Sequence, residues 1–457
     1  MTSARRSALI GAYATFALFT LLAGQFWRNL LGWWGFGVVA GLVLVGAIWL
    51  VVAVKPRWIW RRVPKSTLVF LVIATLSIVW SFYPGASALG VALTLATTFV
   101  AVALALCLPW SRFARSLGAA IKWVLALSLL FEFWVAAFVR EPLLPNFPDF
   151  DPEAQKIPMA FYWSRALLFD GGPIEGIVAN RNILAMTALL GLIVFGTMLA
   201  SGAMRRASGV FWLVVAGGVF ALTRSATVVL VAVVVLIALA FALWARRMGP
   251  ERRRAVYWAA GGALVASVAL LVVFWDRLLA VFGKGDDLTG RLDIWASVLG
   301  MIGERPIAGW GWVGYWNPFV EPFDDLAVRK GVVYLQAHNA WLDVWMQLGL
   351  IGLLAFAAIV IGALWRSWFL AVDRPMDASG RPVGYSPAAL LPLLVLVALI
   401  GQSLAESRIL VESGWVLLIA IAWATKRRQW EHEPLPAAAP AKRFGGDDAQ
   451  SVRDAAR

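Results

Sequence analysis

The sequence predicts an all-α polytopic membrane protein with about twelve transmembrane helices and a large extracytoplasmic loop between helices 9 and 10. Three observations carry that prediction. Of 457 residues, 61% are hydrophobic and only 14% are charged, with a mean hydropathy of +0.78. A water-soluble domain of that length cannot bury so much apolar surface. Apolar runs of about 18 residues or more, the length that crosses ~30 Å of hydrocarbon, recur along nearly the whole chain. The 40 Lys and Arg residues fall mostly in short clusters between alternate runs, as positive-inside anchors do.

The first run, at about 8–26, follows Arg5 and Arg6 with no small-residue cleavage site behind it, and reads as a retained helix. Helices follow at about 30–54, 67–82, 86–108 and 117–138. The small residues of "GASALG" (85–90) suit close helix packing. The single cysteine, Cys107, excludes an intramolecular disulfide framework and sits in an apolar run as a small packed side chain. Residues 139–175, with the Pro- and acid-rich "REPLLPNFPDFDPEAQKIP", form an outer loop before a helix at about 176–201.

The run 210–244 is interrupted by Arg224. As one helix it would be too long and would hold a charge near mid-membrane, at a cost of at least ~2.5–3.5 kcal/mol. Two helices, about 208–222 and 225–245, joined by a tight turn at "LTRSA", bring Arg224 to a surface and keep "RRMGPERRR" inside. A ninth helix at about 255–275 ends the first block, 1–275. The large loop, 276–340, has room for a short helix around 289–303, ended by Pro306 and followed by a Gly/Trp-rich turn. Helices at about 341–365, 387–404 and 409–425 make up the block 341–425. The polar, Ala/Pro-rich stretch 426–457 is expected to be a disordered cytoplasmic tail, so that both termini lie inside.

Inventory narrows the function. The net charge of +14 is spread over loop clusters with no single basic face, so nucleic acid is not an expected partner, whereas membrane lipids are. Two distant histidines and one cysteine cannot form a zinc site of usual spacing, and Asp149, Asp151, Glu153, Asp324 and Asp325 read as solvated loop acids, so no metal is expected. No Gly-rich motif ending in Lys-Ser/Thr is present to hold a nucleotide, and no cofactor is expected.

In this topology Arg224, Arg291 and His338 come to the outer surface from separate segments. Arg224 is either a snorkelling anchor or, beside the free amides of a helix start, part of an anion site. Arg291, in "LTGRLDIW", either pairs with Asp287 or Asp293 on a helix capped by Thr289, or faces the same anion. His338 stands at the start of the tenth helix, where the dipole favours a neutral ring that can act as a general base. The alternative is a polar residue bonded to a loop carbonyl. Asn339 either caps that helix or orients a substrate hydroxyl. Trp310, Trp312, Trp316 and Trp341 either form an interfacial belt or stack on sugars.

The ordered set "ANRNILA" (179–185), "LTRSA" (222–226), "TGRLDIW" (289–295), "ERPIAGWGWVGY" (304–315) and "AHNAWLDVWMQLGLIG" (337–352) resembles the bacterial O-antigen ligase and polymerase family of polytopic glycosyltransferases. The resemblance implies a metal-independent transferase at the outer face of the bacterial cytoplasmic membrane. Its donor would be a glycan on undecaprenyl pyrophosphate, and its acceptor a glycan or lipid. The family's basic pair and outer histidine map onto Arg224, Arg291 and His338, with Asn182 and Asn339 beside the substrate. Direct displacement would invert the anomeric centre. Arg181 stands where the family pattern leads one to expect a small residue or proline. A lipid-linked glycan exporter would also need cations for pyrophosphate, but the helices hold few deep polar residues apart from Lys122 and Glu132.

Overall fold

A computed structural model describes residues 3–147, 157–273, 286–329, 332–376, 379 and 381–429. Of the described residues, 75% are helical. The helices are α1 (Ser3–Leu22), α2 (Gly24–Val54), α3 (Lys65–Leu76), α4 (Pro84–Cys107), α5 (Trp110–Trp134) and α6 (Arg181–Ala200). They continue as α7 (Arg206–Leu222), α8 (Ala226–Val273), α9 (Asp286–Glu304), α10 (Ala340–Val372), α11 (Leu391–Ser403) and α12 (Glu412–Arg428). Among the described residues, six helical stretches are long and apolar enough to cross a membrane: Gly24–Val54, Pro84–Cys107, Trp110–Val139, Arg181–Ala200, Ala226–Ala263 and Ala340–Val372. The expected count of about twelve is not reached by that measure. The stretches Lys65–Val79, Arg206–Leu222 and Pro387–Ser403 are apolar but shorter.

The break expected at Arg224 is present. α7 stops at Leu222, Arg224 takes a left-handed φ of 48°, and α8 starts at Ala226. The eighth and ninth expected helices are the two arms of α8, divided at Gly249, whose φ of 71° and ψ of 171° are not helical, and followed by Pro250. The second arm runs back along α10. Arg253 meets the Asp373 carboxylate and the Val372 carbonyl, and one turn later the Tyr257 hydroxyl accepts from the Trp368 indole (3.3 Å).

The chain termini of these helices sort into two ends. At one, Arg427 reaches the Leu106 carbonyl (3.2 Å), Arg366 reaches Thr425 (3.3 Å) and Arg246 reaches the Ala371 carbonyl (2.6 Å). The starts of α6, α8, α10 and α12 lie at the other, joined by the contacts described below. Between them an aromatic cluster fills the middle, where Phe70 lies 5.3 Å from both Trp312 and Trp415. All three rings are fully buried.

A further break, at Gly349 in α10, was not expected from the continuous apolar run. Its φ of 62° and ψ of −168° belong to a region open to glycine alone. The segment 306–311 docks there and takes up the backbone groups that the break frees. Trp310 N donates to Met346 O (3.0 Å), Gly311 N to Gln347 O (2.8 Å), and Leu350 N to Pro306 O (2.9 Å). A Cβ on Gly349 would lie 2.0 Å from the Ile307 oxygen. Gly349→Ala is therefore expected to undock this segment, with a loss of about 2–4 kcal/mol or failure to accumulate, measured as thermal unfolding in detergent.

Within the expected loop, α9 starts at Asp286, so Thr289 lies inside the helix and not at its cap. Val328–Arg329 pairs with Val332–Val333 as a short antiparallel hairpin. The expected tail begins too early, since α12 continues to Arg428. Residues 430–457, and the acids Asp149, Asp151 and Glu153, lie outside the described residues.

Candidate active site

The site is built where helices begin. Asn339 is the N-cap of α10, its side-chain oxygen accepting from Trp341 N (3.0 Å) and Leu342 N (3.2 Å). His338 precedes it with a left-handed φ of 51°. Asn180 caps α6 in the same way, accepting from Asn182 N (2.9 Å) and Ile183 N (3.1 Å), which leaves the Asn182 side chain on the first turn. Between α11 and α12 the chain turns through Glu406, whose amide donates to the Gln402 carbonyl (2.9 Å).

Glu406 joins these segments. Its Oε2 lies 3.0 Å from His338 Nδ1 and accepts from Gln336 Nε2 (2.9 Å). Its Oε1 accepts from Asn182 Nδ2 (3.2 Å) and from Arg291 Nη2 on α9 (3.3 Å). The Glu406 side chain is 9% exposed. Burial pushes its titration up, but the charge and hydrogen bond of His338, with Arg291 and Arg408, outweigh that and hold the carboxyl at about 2. When the ring is neutral, an ionised carboxylate on Nδ1 calls for the tautomer with Nδ1–H donating. That leaves the Nε2 lone pair available to take a proton.

A second carboxylate holds this pair from behind. Asp343, fully buried one turn into α10, accepts from Trp316 Nε1 (2.8 Å), Ala337 N (3.0 Å), Gln347 Nε2 (3.5 Å) and the Ser407 hydroxyl. Ala337 precedes His338 and Ser407 follows Glu406, so one side chain holds the backbone amide before the histidine and the hydroxyl after the glutamate. Gln347 in turn accepts from Val313 N and Gly314 N (2.9 Å each), which ties the Gly/Trp-rich turn to the same helix. Arg408 pairs with Glu412 (2.6 Å) and lies over the Tyr315 ring.

Of the residues expected at the site, the structure gathers Arg291, His338 and Asn182 around Glu406. Among the described residues Arg291 pairs with Glu406, far along the chain, and not with Asp293. Arg224 does not touch this group. It is exposed, and among the described residues it makes no hydrogen bond or ion pair. Its guanidinium faces Gly171, where an added Cβ would lie 2.9 Å from Nη2. Its neighbour Ser225 does reach the network, donating to Asn182 Oδ1 (2.8 Å). Arg181 opens α6, near enough to Glu175 to act on its carboxyl, which burial pushes up to about 7 against the pull of Arg165.

Two of the tryptophans, Trp312 and Trp316, are corrected. Trp312 is fully buried, edge-on to Phe70, with Nε1 donating to Thr94 (2.9 Å), so it cannot stack on a sugar. Trp316 is buried on Phe323 and serves Asp343. Trp341 donates to Ser403 (3.0 Å) and latches α10 to α11. Trp310 donates to the Met301 carbonyl (2.9 Å) beneath the Arg305 guanidinium. Asn339 spends its oxygen on the cap, and its Nδ2 reaches the Leu404 carbonyl (3.4 Å).

Glu406, Asp343, Gln336 and Gln347 were missed from the sequence. Glu406 had one visible sign: an isolated acid in "SLAESRIL", between two apolar runs. Among the described residues, no group of three His, Cys, Asp or Glu side chains could hold a metal ion.

Comparison with known proteins adds two findings. Residues 209–357 match the O-antigen ligase family. Over 207 residues the chain is 28% identical to the exopolysaccharide production protein ExoQ of Rhizobium meliloti (strain 1021), a match covering 41% of this chain and 45% of that protein. The chain thus spans less than half the length of this relative.

Proposed function

Since its matches are those of the O-antigen ligase/polymerase family, we propose that this chain transfers a glycan from undecaprenyl pyrophosphate to an acceptor hydroxyl at the outer face of the bacterial cytoplasmic membrane. The observation that carries the reading is the 3.0 Å contact between His338 Nδ1 and Glu406 Oε2, which orients a ring whose Nε2 can take the acceptor's proton. As the acceptor oxygen attacks C1, the bond to the pyrophosphate breaks and charge builds on the leaving group. Arg291 uses one Nη2 on Glu406, and its remaining donors, with the unpaired Arg224, stabilise that charge. Attack opposite the leaving group inverts the anomeric centre, and no metal takes part. The acceptor is a second glycan or a lipid.

In this reading the chain crosses the membrane twelve times with both termini inside. The end opposite His338 carries Arg246, Arg366 and Arg427, which supports a cytoplasmic placement for it by the positive-inside rule.

A polymerase reading draws on the likeness to a protein of exopolysaccharide production. The deciding assay uses purified protein, a lipid-linked glycan and candidate acceptors, with products sized. A ladder assigns a polymerase and a single transfer a ligase. Lipid movement without any transfer assigns an exporter and ends the proposal. In the same assay, Arg291→Lys keeps the charge but loses the planar fork. The rate is expected to fall about 10–100-fold, the effect of one or two charge-assisted hydrogen bonds. A rate near wild type would remove Arg291 from the anion site.

A further inference from the structure

At the end of the bundle away from His338, α5, α6 and α7 enclose a cleft of about 280 Å³. Its polar lining is Arg115 and Lys122 on α5, Arg205 just before α7, and Ser208. No carboxylate lines it, and among the described residues none of these three cations has an ion-pair partner. Three like charges around one hollow repel one another unless an anion lies between them. The floor, by contrast, is apolar, with Phe195 and Met198 of α6.

The arrangement on α5 follows from helix geometry. Arg115 and Lys122 are two turns apart on one face, with Gly118 and Ala119 between them, so small side chains leave a slot between two long cationic ones. Lys122 is the deeper of the two. Its ammonium lies 5.8 Å from the Phe195 ring centre and 5.4 Å from that of Trp212, which holds a charge on a mostly apolar helix without a carboxylate. On the same helices, Trp123 of α5 and Phe211 and Val214 of α7 are exposed large apolar side chains. The cations therefore stand at the foot of a surface that faces hydrocarbon.

We infer that this cleft binds the phosphate of an anionic phospholipid. Arg115, Arg205 and Ser208 contact the phosphodiester and Lys122 rises to it from below. The acyl chains lie along Phe211 and Val214. A soluble phosphate would meet the same cations, but it would gain nothing from the apolar floor and flank, which are what point to a lipid. The site is separate from the Glu406 network and does not depend on the transferase reading.

The test uses the full chain purified in neutral detergent and titrated with dioleoylphosphatidylglycerol or dioleoylphosphatidylcholine, with bound lipid counted by native mass spectrometry. The anionic lipid is expected to bind at least about tenfold more tightly than the zwitterionic one. The K122M/R205Q double variant is expected to lose about tenfold for the anionic lipid alone, as removal of charge-assisted contacts predicts. Glycerol 3-phosphate at millimolar concentration is expected not to displace the lipid. If that double variant does not fold, R115Q/R205Q, which changes two exposed side chains, carries the same expectation. Equal binding of the two lipids overturns the inference, as does unchanged anionic-lipid binding in a folded variant. Displacement by glycerol 3-phosphate overturns the lipid assignment in favour of a soluble phosphate.

Discussion

Glycan transfer by the His338→Ala protein is expected to fall about 10²–10⁴-fold, the range typical of a lost general base. The acceptor hydroxyl is a poor nucleophile until its proton leaves. Among the described residues His338 is the one imidazole. The base acts as the acceptor proton leaves, so kcat and kcat/KM should fall together while KM for the lipid-linked donor stays close to wild type. The fold should survive the change. The His338 side chain is 15% exposed, and Asn339, which caps α10, keeps its bonds to Trp341 and Leu342. Unfolding temperature should fall modestly, because Glu406 loses its His338 partner, while the detergent elution profile should match wild type. Folded His338→Ala protein that transfers glycan at a rate near wild type would end the general-base assignment.

Much of the fold could be read from the sequence, because membrane helices depend on local quantities: the length of an apolar run and the charges at its ends. The turn at "LTRSA" was visible because a buried arginine is costly wherever it stands in hydrocarbon. The break at Gly349 was not, because it lies in an unbroken apolar run and its freed backbone groups are taken up by residues 306–311, a partner that no local pattern reveals. Trp312 failed for a related reason. A tryptophan between glycines near a membrane surface looks interfacial, but Gly311 lets the chain sink until an added Cβ there would be 2.2 Å from the Ser81 hydroxyl. The indole then enters the core beside Phe70.

At the candidate site the sequence supplied the residue types that chemistry demands and omitted those that hold them. Arg291 stood out as a cation, and His338 as a lone imidazole, in segments expected at the outer surface. Glu406 did not, because its significance lies in partners from α6, α9 and the segment before α10, and no spacing along the chain brings these to it. Asp343 was hidden in the same way, as an acid in the first turn of an apolar helix, where it reads as a favourable charge at a helix start.

Glu406→Gln provides the sharpest test of the dyad, because the change keeps the size and removes only the charge. The carboxyl is held at about 2 in the fold against an ordinary value of 4.5, so its titration is depressed. Its stabilising effect is therefore complete above about 4.5 and lost as pH falls towards about 2. Wild type should unfold at a higher temperature than Glu406→Gln at pH 7, and the gap should close only in strong acid. In infrared difference spectra between the two proteins, the Glu406 carboxylate band should persist at pH 4.

The catalytic effect follows from which ring nitrogen carries the proton. The carboxylate can only accept, so Nδ1 must donate and Nε2 is left free. An amide can turn its NH₂ to the ring instead, which favours the tautomer with Nε2 protonated and unable to act as a base. Arg291 loses its anchor in the same substitution and is free to leave the position of the developing charge. The rate is expected to fall about 10²–10⁴-fold, close to the effect of removing His338 itself, and the double variant should be scarcely slower than either single one, since both act through the same proton transfer. Two results would break the argument: folded Glu406→Gln protein at near wild-type rate, or losses in the two single variants that multiply in the double.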